Sequence, residues 1–249
     1  MGHKEVLTQF ASLCRNILQG KYVGVYLHGS LAMGCYQYGR SDIDILVIVN
    51  SPITKQEKKH LIHHLMSLEA DYQVQFEMSV IDKAVLFPFQ FPTPFELHYS
   101  VYHKYHYENE EDYLCDQGTD KDVAAHLVVT LHRGMTVDGP NMEEVIPTID
   151  DKYFICSIKN DIQAAKTAII QSPVYYVLNL CRALFYVQEG VVASKQEGGI
   201  WAMQMVADHW KPLIQQALEH YQRNLTNPDW NQENLVYFAT YMLKKIDFM

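Results

Sequence analysis

The sequence has no run of apolar residues approaching the ~18 that a membrane-spanning helix needs, so no membrane segment is expected. Its first ten residues, MGHKEVLTQF, have no apolar core, and no secretory signal peptide is expected. Basic residues are scarce: 20 Lys and Arg stand against 29 Asp and Glu, a net charge of −9. Phosphate contacts need a basic face, so no nucleic-acid partner is expected. The charge balance suits a soluble protein, and one with a cationic ligand. Cysteines are few: Cys14, Cys35, Cys115, Cys156 and Cys181 are odd in number, scattered and without a CxxC pair. They read as reduced thiols of a cytoplasmic protein, mostly core filler. No internal repeat, low-complexity tract, zinc-finger spacing or Ser-His-Asp arrangement occurs. What remains is an ordinary globular composition, 48% hydrophobic and 20% charged over 249 residues. That length allows one or two domains with a sizeable core.

The first third alternates helical and extended patterns. Val6, Leu7, Phe10, Cys14, Ile17 and Leu18 fall at helical spacing over 5–19 and stop at Gly20. Residues 22–28 read as a strand ending at Gly29-Ser30. Residues 41–50, SDIDILVIVN, read as a second strand, apolar on both faces as in a covered sheet. An amphipathic helix over 55–69 precedes the alternating strand QVQFEMSVI, 73–81. The Pro- and Phe-rich stretch 87–95 reads as a non-helical connector. TDKDVAAHLVVTLHRG reads as a helix capped by Thr119 or Asp120 and closed by Gly134. The segment 138–151, rich in turn residues, is the best domain boundary, and only helices are expected beyond it. Ser172-Pro173 opens one helix and Gly190 ends it. Ser194-Lys195-Gln196-Glu197 is a capping box before the next. Two more helices follow at about 211–222 and 230–246. The expected architecture is an α/β domain with a mixed sheet over 1–145 and an all-α helical bundle over 146–249.

The informative segment is HGSLAMGCYQYGRSDID, 28–44. Gly29 allows a tight turn after a strand. Ser30 and the following backbone N–H groups would open a helix whose N-terminus can hold a phosphate. Ser41 follows eleven residues after Ser30, then Asp42 and Asp44. Carboxylates at i and i+2 of a strand share a side, ~7 Å apart. They can hold Mg²⁺ against a triphosphate. A Gly-Ser turn alone is usually only a turn, and a lone DxD is usually a solvated strand end. Together they are more specific, because aspartates in an apolar strand are costly unless something binds them.

The pattern GS-x(10)-SDIDILV resembles the signature of the nucleotidyltransferase superfamily with the polymerase-β-like palm. YVLNLCRALFYVQEG (176–190) and SKQEGGIWAM (194–203) resemble the C-terminal domain of aminoglycoside 3″/9 adenylyltransferases. That resemblance implies transfer of AMP from ATP to a hydroxyl of an aminoglycoside or aminocyclitol antibiotic, with release of pyrophosphate. It gives magnesium to Asp42 and Asp44, and the phosphates to Gly29, Ser30 and Ser41. It makes Glu77 the general base, on the polar face of its strand. It sends Arg182 and Lys195 to the ATP phosphates and places the active site in a cleft between domains. Arg182 lies mid-helix in an apolar stretch, where an anion or an internal salt bridge would offset its cost. Lys195 lies in the first turn of its helix, the unfavourable end for a cation. Two positions depart from the streptomycin-modifying members. Tyr102 stands where they carry Trp, and Ser172 or Pro173 where they carry Asp. Tyr175 replaces an Asn near the substrate. These departures favour spectinomycin over streptomycin.

Other features carry blander readings. HYSVYHKYHY (98–107) packs three His and four Tyr, as pocket lining or ordinary packing, with no trusted zinc spacing. His60, His63 and His64 read as a solvated helix face, ENEED (108–112) as a solvated loop, and Tyr237 and Tyr241 as core. Two rival functions are AMP transfer to a protein partner and a non-catalytic nucleotide-binding module. A monomer is expected.

Overall fold

The computed structural model describes residues 2–223 and 229–247. The chain forms two compact units, Met1–Phe154 and Ile155–Met249. In order, the first contains α1 (His3–Leu18), β1 (Tyr22–His28), α2 (Gly29–Ala32), β2 (Ile43–Val49), α3 (Lys55–Tyr72) and β3 (Phe76–Asp82). It continues with β4 (Thr93–Pro94), β5 (Leu97–Tyr99), α4 (Val101–Asn109), β6 (Thr119–Asp120), α5 (Asp122–Arg133), β7 (Met135–Asp138) and α6 (Met142–Val145). The helix α7 (Asp151–Ile162) begins in the first unit and ends in the second. There follow α8 (Ala165–Ala168), α9 (Pro173–Glu189), α10 (Lys195–Met205), α11 (Lys211–Arg223) and α12 (Gln232–Asp247).

The main sheet has the order β5-β3-β2-β1-β7. Only β2 and β3 are parallel; the other three pairings are antiparallel, so the sheet is mixed. The parallel pair needs a crossover, and α3 supplies it. Thr54 starts that helix with a capping box: its Oγ1 accepts from the Glu57 amide at 3.2 Å, and Glu57 accepts from the Thr54 amide at 2.6 Å. One face of the sheet, with Val25, Leu27, Ile43, Ile45, Val47, Phe76, Met78 and Val80, joins Phe10, Cys14, Leu61 and Leu65 of α1 and α3 in a buried cluster. Burying one such large side chain contributes about 1.5–3 kcal/mol. The buried Glu69 of α3 ties this layer together. It accepts from the Phe76 amide, the Tyr99 hydroxyl and Lys104 Nζ, each at 2.8 Å.

The opposite sheet face carries His28, Asp44, Glu77 and Ser79, and α5 packs there against β1. Two expectations about this region need correction. Neither Thr119 nor Asp120 is the N-cap of α5; Lys121 is. Thr119 and Asp120 instead pair with Thr93 and Pro94 as β6 and β4, although the Asp120 carboxylate still accepts from the Asp122 amide at 2.9 Å. The strand expected over 41–50 begins at Ile43, which leaves Asp42 just ahead of it.

The second unit has its own core, built from Val177, Leu178, Cys181 and Leu184 of α9 with Ala202, Ile214, Leu218, Phe238 and Met242. Pro173 stands at the first position of α9, and Gly190 closes it in the left-handed region at φ 69°. Ser194 and Glu197 form the capping box of α10, with bonds of 3.1 and 2.8 Å. Gly198 lies against the Arg182 backbone: a Cβ there would stand 2.6 Å from the Arg182 Cα. Of the two tyrosines expected in the core, Tyr241 packs against it, but Tyr237 is exposed. It lies on the side of α12 opposite the buried Leu235, Phe238 and Ala239. Among the described residues, no helix is long and apolar enough to cross a membrane.

Candidate active site

The site begins where β1 stops. His28 is extended, and Gly29 then turns the chain with φ +66°. A Cβ on Gly29 would lie 1.8 Å from Asp44 Oδ2, so any side chain there would have to displace the Asp44 carboxylate. The turn therefore runs directly against the Asp44 side chain. Ser30 Oγ is buried and has no hydrogen-bond partner among the described residues. An unmet buried hydroxyl is costly, and a phosphate oxygen would satisfy it. Ser41 Oγ accepts from the Gln37 amide at 3.1 Å, which closes the loop after α2. Its hydroxyl hydrogen can serve a second acceptor.

Strand register aligns the acidic groups. Asp44 is opposite His28 on β1 and opposite Glu77 on β3. Directly opposed residues share a sheet face, so these three side chains form one row. Two neighbouring carboxylates repel each other, and a cation beside them would offset that repulsion. The donor set fits Mg²⁺. Asp42 and Asp44 offer hard oxygens, and no group of three His, Cys, Asp or Glu that could hold a metal exists among the described residues. Mg²⁺ suits such a two-carboxylate site, because it commonly takes one or two carboxylates and completes its shell with phosphates and water.

Histidines surround Glu77. His126 of α5 places Nε2 3.8 Å from Glu77 Oε1, and its ring lies 4.9 Å from that of His28. Burial drives the His28 pKa well below its ordinary value, with His126 adding to the effect, so His28 is neutral at pH 7. His98 of β5 holds Ser79 Oγ through Nδ1 at 3.1 Å. Burial lowers its pKa too, and Glu77 opposes that shift.

A second cluster is contained wholly in the helical unit. Asp161 of α7 lies 3.5 Å from Arg182 Nη2 and accepts a hydrogen bond from the Tyr175 hydroxyl. Burial first, then the Asp161 charge, raises the Tyr175 pKa. Lys195 Nζ stands 4.8 Å above the Tyr175 ring. The internal salt bridge considered for Arg182 is thus present, with Asp161. Both partners stay partly exposed, at 35% and 25%, so the guanidinium keeps a face toward solvent.

Gly29, Ser30, Asp44 and Glu77 therefore converge in the first unit, and Tyr175, Arg182 and Lys195 converge in the second. Tyr102, on α4, is 87% exposed. Sequence reasoning missed His28, His126 and Asp161 as members of these clusters. His28 directly precedes the Gly-Ser turn, and His126 interrupts the apolar run VAAHLVVTL; both signals are present in the sequence. Nothing in the sequence marks Asp161.

Two family models match the chain. Residues 10–113 match the nucleotidyltransferase domain family. Residues 144–245 match the family described as aminoglycoside adenylyltransferase, C-terminal domain. A spectinomycin 9-adenylyltransferase of Campylobacter jejuni is 24% identical, over 97% of this chain and 94% of its own. One of Staphylococcus aureus is 24% identical, over 86% and 83%. An aminoglycoside (3″) (9) adenylyltransferase of Escherichia coli is 23% identical, over 87% and 85%. A spectinomycin adenyltransferase from Enterococcus, solved with ATP and spectinomycin, shares the fold with a TM-score of 0.83 at 20% identity, covering 98% of both chains.

Proposed function

Because the chain belongs to the aminoglycoside adenylyltransferases built on a nucleotidyltransferase domain, we propose that it transfers AMP from ATP to a hydroxyl of spectinomycin or a closely related aminocyclitol. The substrate oxygen attacks the α-phosphorus, the bond to the β-phosphate oxygen breaks, and pyrophosphate leaves. Glu77 takes the hydroxyl proton. The observation that carries this reading is the row His28–Asp44–Glu77, which sets a base beside an acid that lies against the Gly29 turn, next to the buried and unmet Ser30 hydroxyl.

Ser30 and the amides that follow it would receive the phosphates, with Ser41 as a further hydroxyl donor. Asp42 and Asp44 would hold Mg²⁺, which when bound neutralises charge on the triphosphate and the leaving group. Arg182 and Lys195 would hold the polyphosphate tail, and Tyr175 would orient Lys195 beneath it. Asp161 limits the cost of the Arg182 charge until an anion arrives. Tyr102 offers an exposed ring to the aminocyclitol. Spectinomycin is favoured over streptomycin because Tyr102, and Ser172 or Pro173, stand where the resemblance places the Trp and Asp of streptomycin-modifying members. The enzyme would act as a cytoplasmic monomer; its five free cysteines suit a reducing compartment.

The test is pyrophosphate release with Mg-ATP against spectinomycin and streptomycin, with Glu77→Gln as control. Release with spectinomycin, lost in Glu77→Gln, supports the reading. Equal release by the variant removes Glu77 as the base, and silence of the wild type with both drugs removes the acceptor class.

A further inference from the structure

The helix α5 is fixed by Val123, Ala124 and Leu127, all fully buried, and one histidine interrupts this apolar side. That residue, His126, is 22% exposed at its side chain and reaches toward Glu77, which is 31% exposed. Its ring packs at a tilt of 33° against that of the buried His28, which restricts its movement. His28 in turn is held by the strand pairing that places it opposite Asp44. His126 thus approaches the Glu77 carboxylate with the buried His28 ring beside it.

We infer that His126 is a positioning residue for Glu77: Nε2 engages Oε1 and leaves Oε2 directed at the substrate hydroxyl. This rests on the reading of Glu77 as the base. A glutamate on a strand can rotate about its side-chain bonds. Anchoring one oxygen restricts that rotation and fixes the lone pair that must meet the proton. The present separation, 3.8 Å, exceeds a hydrogen bond. A small side-chain rotation closes it, and catalytic contacts of this kind commonly tighten only when substrate is bound. The other histidine near Glu77 is already committed. His98 bonds Ser79 at 3.1 Å, and its ring packs against Phe95 and His103. His126 is therefore the one histidine of the two whose reach toward Glu77 no other hydrogen bond competes with among the described residues.

The experiment compares wild type, His126→Leu, His126→Gln and Glu77→Gln with spectinomycin and Mg-ATP, together with the imidazole nitrogen signals of His126 in wild type and Glu77→Gln. His126→Leu is expected to lower kcat about 10- to 100-fold. Its KM values should stay within about 2-fold, because ground-state binding is not what it removes. His126→Gln should recover most of kcat, since its side-chain amide nitrogen reaches a similar point. The His126 ring should be protonated at Nε2 and should shift its signals in Glu77→Gln. Wild-type kcat in His126→Leu, while Glu77→Gln is inactive, overturns the inference and leaves the base standing. Full activity of Glu77→Gln overturns the base instead. His126 signals indifferent to Glu77→Gln overturn the contact whatever acceptor the enzyme uses.

Discussion

The carboxylate of Asp44 fills the space that any side chain on Gly29 would need, with Oδ2 1.8 Å from the site of a Cβ. The turn and the acid are thus one construction. The same glycine sits at φ +66°, which costs an L-residue about 1 kcal/mol or more on its own. Gly29→Ala is expected to displace Asp44 and open the phosphate turn. Turnover should fall at least about 100-fold, with a modest drop in thermal midpoint. A variant that turns over like wild type would show that the Gly29–Asp44 contact does not matter to the chemistry.

The packing of Gly198 on Arg182 makes a separate prediction. A Cβ at Gly198 would meet Arg182 backbone atoms at 2.6–2.7 Å, and backbone cannot step aside as a flexible side chain can. Gly198→Ala should push α10 away from α9 and cost about 1–3 kcal/mol of stability. Arg182 and Lys195 sit on those two helices, so KM for ATP should rise more than kcat falls. A lowered kcat with unchanged KM for ATP would contradict the phosphate role of this pair.

Asp138 of β7 links the sheet edge to α1. It pairs with Arg15 and accepts from the Tyr22 hydroxyl at 2.5 Å. The Arg15 hydrogen bond holds the Asp138 carboxyl below its usual value, against the opposing effect of desolvation. Its folded pKa is therefore lower than its unfolded one. Its contribution to stability is complete above the unfolded value, about 3.9, and is lost as pH falls through the folded value. Asp138→Asn should cost about 1 kcal/mol at neutral pH. The gap to wild type in urea midpoint should close as pH drops below about 4. A gap that stays constant down to pH ~3 would mean that the charge does not carry the link.

Much of the first unit was legible because strong local signals agree with the tertiary structure. The strand over 22–28, the helix beginning at 55 and the alternating strand around Glu77 each have a clear period and clear ends. The Ser194–Glu197 box and the Ser172-Pro173 start were readable from side-chain chemistry alone. The short strands were not. β4 and β6 are two residues long, too short for any period, and their pairing overrode the cap expected at Thr119 or Asp120. The convergence of Gly29, Ser30 and Asp44 was readable because strand, turn and strand are adjacent in sequence. His126 meets Glu77, and Asp161 meets Arg182, across long stretches of chain, and only packing brings such pairs together.

The most direct test of the central claim is mass spectrometry of spectinomycin incubated with Mg-ATP and either wild type or Asp44→Asn. The account predicts an AMP ester of spectinomycin with wild type, formed with one pyrophosphate released, and a loss of at least about 100-fold with the variant. An Asp44→Asn enzyme that forms the ester at the wild-type rate would contradict the assignment of this site.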